Sequence, residues 1–235
     1  MKYGKNKKIV IAVDGLSSSG KSTLSKKISE KFQYKYIDTG SIYRIITLLA
    51  IRKNIFNSDL WNIKNFISSI SIEEINNLNV ILNKKNIKSK IRSIEVTNKV
   101  PFISRIPEIR KKLISIQRNM IKKEKNGVIV DGRDIGNCVF PKSELKFFIK
   151  GSIDIRSYRR YKDLLNNKTE KNKNISYEEV KKKILFRDEM DINRKISPLK
   201  KSINHIEINN NNYSIDVPLN LIYKIIKKKF YETSK

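Results

Sequence analysis

The sequence predicts an α/β fold: a five-stranded parallel sheet covered by helices on both faces. Three observations predict it. Short apolar runs bounded by turn residues recur at 9–13, 34–37, 127–131, 145–149 and 205–208. Between them lie segments whose apolar residues return every three or four positions, the period of an amphipathic helix. Strands that alternate with helices in this way pair in parallel, because a parallel neighbour is reached only through a long crossover.

The elements follow in order. The run Ile9-Val10-Ile11-Ala12-Val13 reads as a buried first strand, and 20–32 as a helix with Leu24, Ile28 and Phe32 inward. A second strand at 34–37 leads into a helix opening at Asp38-Thr39-Gly40-Ser41, with Ile42, Ile45, Ile46 and Leu49 on one face. Another helix is expected over 59–69, with Leu60, Ile63 and Ile67 inward. Residues 70–100 change character. Ile70-Ser71-Ile72 and Val80-Ile81-Leu82, set among Asn and Lys clusters, suggest a small strand-rich lobe. Helix returns over 107–123 through Ile109, Leu113, Ile116 and Met120. Third and fourth strands at 127–131 and 145–149 precede helices at 153–165 and 176–190, joined by a polar hinge at 166–174 that suits a lid. A fifth strand at 205–208 and a last helix complete the chain. That helix carries Leu221, Ile222, Ile225, Ile226 and Phe230, with Asp216 as its cap. The expected organisation is core over 1–69, insert lobe over 70–100, core over 101–155, lid over 156–175 and core over 176–235.

Composition narrows the class. At 235 residues, with hydrophobic residues at 39% and spread throughout, the chain is expected to fold as one domain with small insertions. No apolar run approaches a bilayer span, and the basic N-terminus enters a core strand without a cleavable apolar region. A single cysteine, Cys138, excludes a disulfide framework and a multi-cysteine metal site, so a cytoplasmic home is the simplest expectation. The net charge of +28 is compatible with nucleic-acid binding, but 39 lysines against 12 arginines are dispersed along the chain. Solvated surface lysines account for that pattern, and nucleic acid is not an expected partner. In so lysine-rich a chain the arginines are informative, because only a planar fork grips two oxygens at once.

Residues 15–22 read Gly-Leu-Ser-Ser-Ser-Gly-Lys-Ser, directly after the first strand and at the opening of a helix. This is the G-x-x-x-x-G-K-[ST] phosphate loop in the context it requires, and it implies a nucleoside triphosphate held in a P-loop NTPase-type three-layer fold. Gly15, Leu16, Ser17, Ser18, Ser19, Gly20, Lys21, Ser22 and Thr23 would cradle the phosphates with backbone N–H groups and the positive end of the helix. Lys21 would reach the β- and γ-phosphates and Ser22 would take a Mg²⁺ position.

Three further segments bear on the acceptor. Asp38-Thr39-Gly40-Ser41-Ile42-Tyr43-Arg44 stands at the end of the second strand, where open parallel sheets place ligands. An ordinary helix start with a surface arginine would read the same. Val130-Asp131-Gly132-Arg133-Asp134-Ile135-Gly136 ends a buried strand in an acidic residue, a Mg²⁺-holding position beside a phosphate loop. In a helix, Arg187, Asp191 and Arg194 fall at i, i+4 and i+7, on one face. Guanidinium, carboxylate and guanidinium in a row suit a nucleoside monophosphate, with the carboxylate on ribose hydroxyls and the arginines on phosphate. A row of helix salt bridges is the alternative.

With these residues in view the chain resembles the bacterial cytidylate kinases, an adenylate-kinase-like branch of the P-loop nucleotide kinases. The resemblance runs from about Ile9 to Lys229. It rests on Asp14-Gly15…Gly20-Lys21-Ser22, on the Asp38–Arg44 and Asp131–Gly136 segments with Val139-Phe140-Pro141, and on Arg187-Asp188…Asp191-Ile192-Asn193-Arg194…Ser197-Pro198-Leu199. It implies ATP-dependent, Mg²⁺-assisted phosphorylation of CMP and dCMP; a monomer is the default expectation. It also implies Arg44, Arg133 and Arg194 around the acceptor phosphate, Arg187 and Asp191 near the ribose, and Thr39, Arg110 and Asp134 near the cytosine. Arg156 and Arg160 match the family's lid arginines over ATP, Ser22 and Asp131 its metal-side residues, and Lys21, Arg133, Arg187 and Arg194 its catalytic cations. The 70–100 lobe matches the insert that marks this branch. Three positions depart from the pattern: Pro101 replaces a base-contacting serine, Met190 a frequent arginine, and Leu16 the loop's usual proline. The acceptor phosphate is already anionic, so no general base is required. His205, in a predicted core strand, and Cys138 are accordingly read as structural. Two alternatives remain for assay: a kinase for UMP or another monophosphate, and a basic nucleic-acid-binding ATPase.

Overall fold

A computed structural model describes residues 8–70, 89–122, 124–166, 175–211 and 214–232. Two compact units make up the chain: Met1–Ile37, Glu124–Asn193 and Ser197–Lys235 form the first, and Asp38–Lys123 with Arg194–Ile196 the second.

The first unit is organised around strands β1 (Val10–Gly15), β2 (Lys35–Asp38), β3 (Val128–Gly132), β4 (Leu145–Lys150) and β5 (Ile206–Asn209), in the order β2-β3-β1-β4-β5. β1 runs parallel to both β3 and β4, and β4 parallel to β5. The central strand is buried on both sides, as an unbroken apolar run demands: Ile11, Ala12 and Val13 have no exposed surface. Ile11 and Val13 face a core shared with Leu24 and Ile28 of helix α1 (Lys21–Phe32), with Ile129, Phe147, Ile149 and Ile208, and with Leu219, Ile222, Ile226 and Phe230 of the last helix, Asp216–Phe230. Burying side chains of this size stabilises by about 1.5–3 kcal/mol each before the entropy of ordering them is subtracted. Register fixes the site's geometry. Val13 lies opposite Asp131 and Asp14 opposite Gly132, so the turns leaving β1 and β3 emerge side by side at the carboxyl ends of neighbouring strands.

The second unit is helical among its described residues. It contains α2 (Thr39–Arg52), α3 (Leu60–Ser69), α4 (Ile94–Ile103) and α5 (Pro107–Met120). Ile42, Ile45, Ile46, Val96, Val100, Ile109 and Leu113 are buried, and α2 packs on α4. The first unit adds α6 (Ile153–Asn166), α7 (Tyr177–Ile192) and α8 (Asp216–Phe230), and α6 packs on α7.

Several readings are corrected. The end of the expected strand-rich stretch is helical: α4 begins at Ile94 behind a Ser93 cap, whose hydroxyl accepts from Val96 N–H at 3.3 Å. Among the described side chains of α3, Phe66 is buried, while Ile63 and Ile67 are only half-buried. Asp216 does not cap α8 with its carboxylate; its own N–H donates to the Ser214 hydroxyl at 3.2 Å. Leu219 is buried in that helix and Leu221 is exposed. Helix α7 stops at Ile192, so Arg194 stands beyond it, off the face that Arg187 and Asp191 share. The strands proposed at 71–72 and 80–82, and most of the hinge within 166–174, lie outside the described residues.

Candidate active site

The phosphate loop folds as a tight turn between β1 and α1. Ser19 N–H returns to Leu16 O at 3.4 Å, and Leu24 N–H to Gly20 O at 3.0 Å as the helix begins. Gly20 takes φ 85°, a left-handed conformation that favours glycine. A Cβ there would also strike the Asn210 side-chain amide, which donates to Ser19 O at 2.7 Å. At Gly15 a Cβ would strike the Ile149 carbonyl. Both glycines are therefore required by close approach of backbone or side chain. Lys21 is buried and curls over the loop, its Nζ 3.3 Å from Leu16 O.

Beside it, the Ser22 hydroxyl donates to Asp131 Oδ2 at 2.5 Å. The register described above brings them together, placing the last acidic residue of β3 against the first turn of α1. Two hard oxygens side by side, one a buried carboxylate, fit Mg²⁺, which proteins hold through one or two carboxylates together with substrate phosphates.

A second cluster in the same unit joins the loop to α7. Asp191 Oδ2, almost fully buried, accepts from Arg133 Nε and from Arg187 Nε, each at 3.0 Å. Arg133 Nη2 continues to the Ser17 hydroxyl at 3.2 Å. One carboxylate between two guanidiniums leaves the cluster with an excess positive charge, which suits an anionic ligand. Asp134 is buried at the start of a single π turn, Ile135–Val139. Asp14 holds that turn, accepting from Ile135 N–H and Gly136 N–H at 2.8 Å each. His205 lies against Asp14, its Nε2 3.2 Å from Oδ2. Its Nδ1 receives the Ser202 backbone N–H at 3.2 Å, so the neutral ring carries its proton on Nε2 and donates it to Asp14. His205 is buried and bonded at both ring nitrogens, and it stands just before β5, not within a strand as expected. Cys138 is half-buried within the π turn.

Arg156 and Arg160 differ sharply. Arg156 is buried and donates from Nε to Gly151 O at 2.8 Å, from Nη1 to Ser17 O at 3.0 Å, and in an ion pair to Asp188. Arg160 is half-buried on α6. Between them Arg159 approaches the loop: its Nη1 lies 3.8 Å from where a Gly20 Cβ would stand, and burial pulls its guanidinium below the ordinary arginine value.

The second unit holds the remaining residues. Thr39 is buried at the first turn of α2, behind Asp38, whose carboxylate accepts from Ser41 N–H at 3.0 Å. Arg44 Nη1 donates to Thr97 Oγ1 at 2.8 Å and Ile91 O at 3.3 Å. Arg110, nearly inaccessible, donates to Ser104 O at 3.1 Å with its guanidinium 5.5 Å from the centre of the Tyr43 ring. Arg194 is buried in the segment after α7, and Pro101 is buried within α4.

Sequence reasoning gave no part to Asp188, Asn210 or Arg159. Asp188 carried a signal, lying one helical turn before Asp191 and so on the same face. Asn210 carried none, because it sits in an asparagine run that composition alone explains.

A strand–loop–helix phosphate cradle beside an arginine–carboxylate cluster defines a P-loop nucleotide-binding protein. The comparisons with known proteins make the class particular. The cytidylate kinase family profile matches residues 11–228. A cytidylate kinase of Clostridium botulinum (strain Loch Maree / Type A3) is 41% identical over 220 residues, covering 94% of this chain and 98% of that one. One of Clostridium tetani is 39% identical, covering 94% of each. Among solved structures, an uncharacterized protein of Eubacterium ventriosum shares the fold, with TM-score 0.51 and 13% identity over 94% of this chain and 99% of that one. The chain belongs to the cytidylate kinase family, and it is a phosphotransferase.

Proposed function

We propose that the chain transfers the γ-phosphoryl group of ATP to CMP or dCMP, releasing ADP and CDP or dCDP. The observation that carries the reading is the continuous path from the Lys21 loop through Ser17 to Arg133, Asp191 and Arg187 within one unit.

The loop amides and Lys21 bind the donor's phosphates, with Arg159 and Arg160 as further cations on its side. Ser22 and Asp131 would hold Mg²⁺, which supplies charge neutralisation between the β- and γ-phosphates when bound. Arg133 and Arg187, oriented by their shared carboxylate, take the acceptor, and Asp191 takes its ribose. For Thr39, Arg44, Arg110, Asp134 and Arg194, the motifs in which they stand support parts in acceptor recognition. The attacking oxygen needs no base, so these residues act by neutralising two polyanions and aligning them.

Label transfer tests the reading. With γ-labelled ATP and CMP, label is expected in CDP. Label accumulating in inorganic phosphate, unaffected by CMP and stimulated by RNA, would instead establish a nucleic-acid-dependent ATPase.

A further inference from the structure

The peptide unit of Ser17 is gripped from both sides. Its N–H donates to Asp188 Oδ1 at 2.8 Å, and its carbonyl accepts from Arg156 Nη1 at 3.0 Å. The same Nη1 donates to Asp188 Oδ2, closing a ring of three groups, while Nε anchors the fork on Gly151 O. Ser17 is 8% exposed, Arg156 4% and Asp188 5%. A buried ion pair is poor evidence for added stability, because desolvation offsets most of the attraction. Its value here is geometric.

Two consequences follow from the grip. Loop amides in a phosphate cradle point at the anion, yet the Ser17 N–H is turned onto a protein carboxylate, so Asp188 selects which amides face the ligand. The next residue, Ser18, sits at φ 57°, a left-handed conformation that is strained for a non-glycine residue and persists only where its surroundings hold it. The clamp immediately before it supplies that hold.

We propose that Arg156 and Asp188 are a positioning pair that sets the shape of the phosphate loop, with Arg156 acting on the donor's phosphates through the Ser17 peptide and not by touching them. The proposal rests on the ATP-binding reading above. The Ser17 hydroxyl, held by Arg133, ties the clamp to the arginine cluster as well.

The test combines kinetics with an amide measurement. Arg156→Gln, Arg156→Lys and Asp188→Asn are each expected to raise the ATP KM by about tenfold or more, the loss of a charged hydrogen bond, while the CMP KM moves by less than about twofold. Lysine does not rescue, because a point charge cannot replace the fork. Arg156→Gln combined with Asp188→Asn should be no worse than the worse single change, since both act through one peptide. Multiplying effects in the double variant would show that Arg156 engages the phosphates independently, and would overturn the proposal. Hydrogen exchange at the Ser17 amide of the unaltered protein needs no variant to fold. Slow exchange without nucleotide is expected, and exchange as fast as an open loop would also overturn the clamp. If the protein formed no CDP at all, the functional reading would fall while the Ser17 amide still judged the clamp.

Discussion

Lys21, Gly20 and Asp188 show what single residues decide here. Lys21 is buried over the loop with the only flexible cation the motif provides, so Lys21→Ala should lower kcat by at least about a hundredfold. Its melting temperature should stay close to that of the unaltered protein, as parallel kinetics and thermal melts would show. Gly20→Ala is the converse case. It forces a side chain into a left-handed conformation and against the Asn210 amide, so it should destabilise by about 1–3 kcal/mol in denaturant unfolding. The loop residues were legible because their partners are local: strand, glycines, lysine and helix start lie within one short segment. Asp188 and Asn210 were not, because the loop atoms they hold lie 171 and 191 residues away in sequence. Spacing along a chain carries no trace of such pairings. Arg156 lay between these cases: its motif marked it for the donor side, while its burial and its carboxylate partner emerged only from packing.

At the level of elements, periodicity located strands and helices well and their ends less well. Arg194 fell off the α7 face because the helix ends at Ile192, where Asn193 caps it and Leu199 N–H returns to Asp191 O at 2.8 Å. A three-residue extrapolation of the pattern could not see that stop. The start of α7 is better marked: Ser176 and Glu179 form a reciprocal capping box. Helices α6 and α7 are also joined by an exposed pair, Lys181 Nζ to Asp154 Oδ1 at 2.7 Å. The hydrogen bond from Lys181 holds the Asp154 carboxyl below its ordinary value, and the same bond raises the Lys181 ammonium. The aspartate's contribution is therefore present above the ordinary carboxylate range and lost as pH falls through its lowered value. The lysine's is present below the ordinary lysine range and lost as pH rises through its raised value. Lys181→Ala should lower the melting temperature slightly at neutral pH, and the difference should vanish in strong acid. A difference that persisted unchanged at low pH would show that packing, and not charge, joins the two helices there.

For the molecule as a whole, the alternation of strands and helices specified the parallel sheet, while the strand order came from the structure. Strand identity follows from local apolar runs, whereas order depends on which crossovers pack, and the sequence has no local mark for that. The charge of +28 is a property of this scale too. It draws polyanions to the surface generally, whereas the half-buried arginines around Asp191 and the phosphate loop select among them. Selectivity is thus where the account is most exposed. The measurement that tests it is ADP formation by the full chain with Mg²⁺ and ATP, using CMP, dCMP, UMP, AMP and GMP in turn. CMP and dCMP should give kcat/KM values at least about a hundredfold above AMP and GMP, as a site built to hydrogen-bond its base would. Equal rates with all five nucleotides, or with none added, would contradict it.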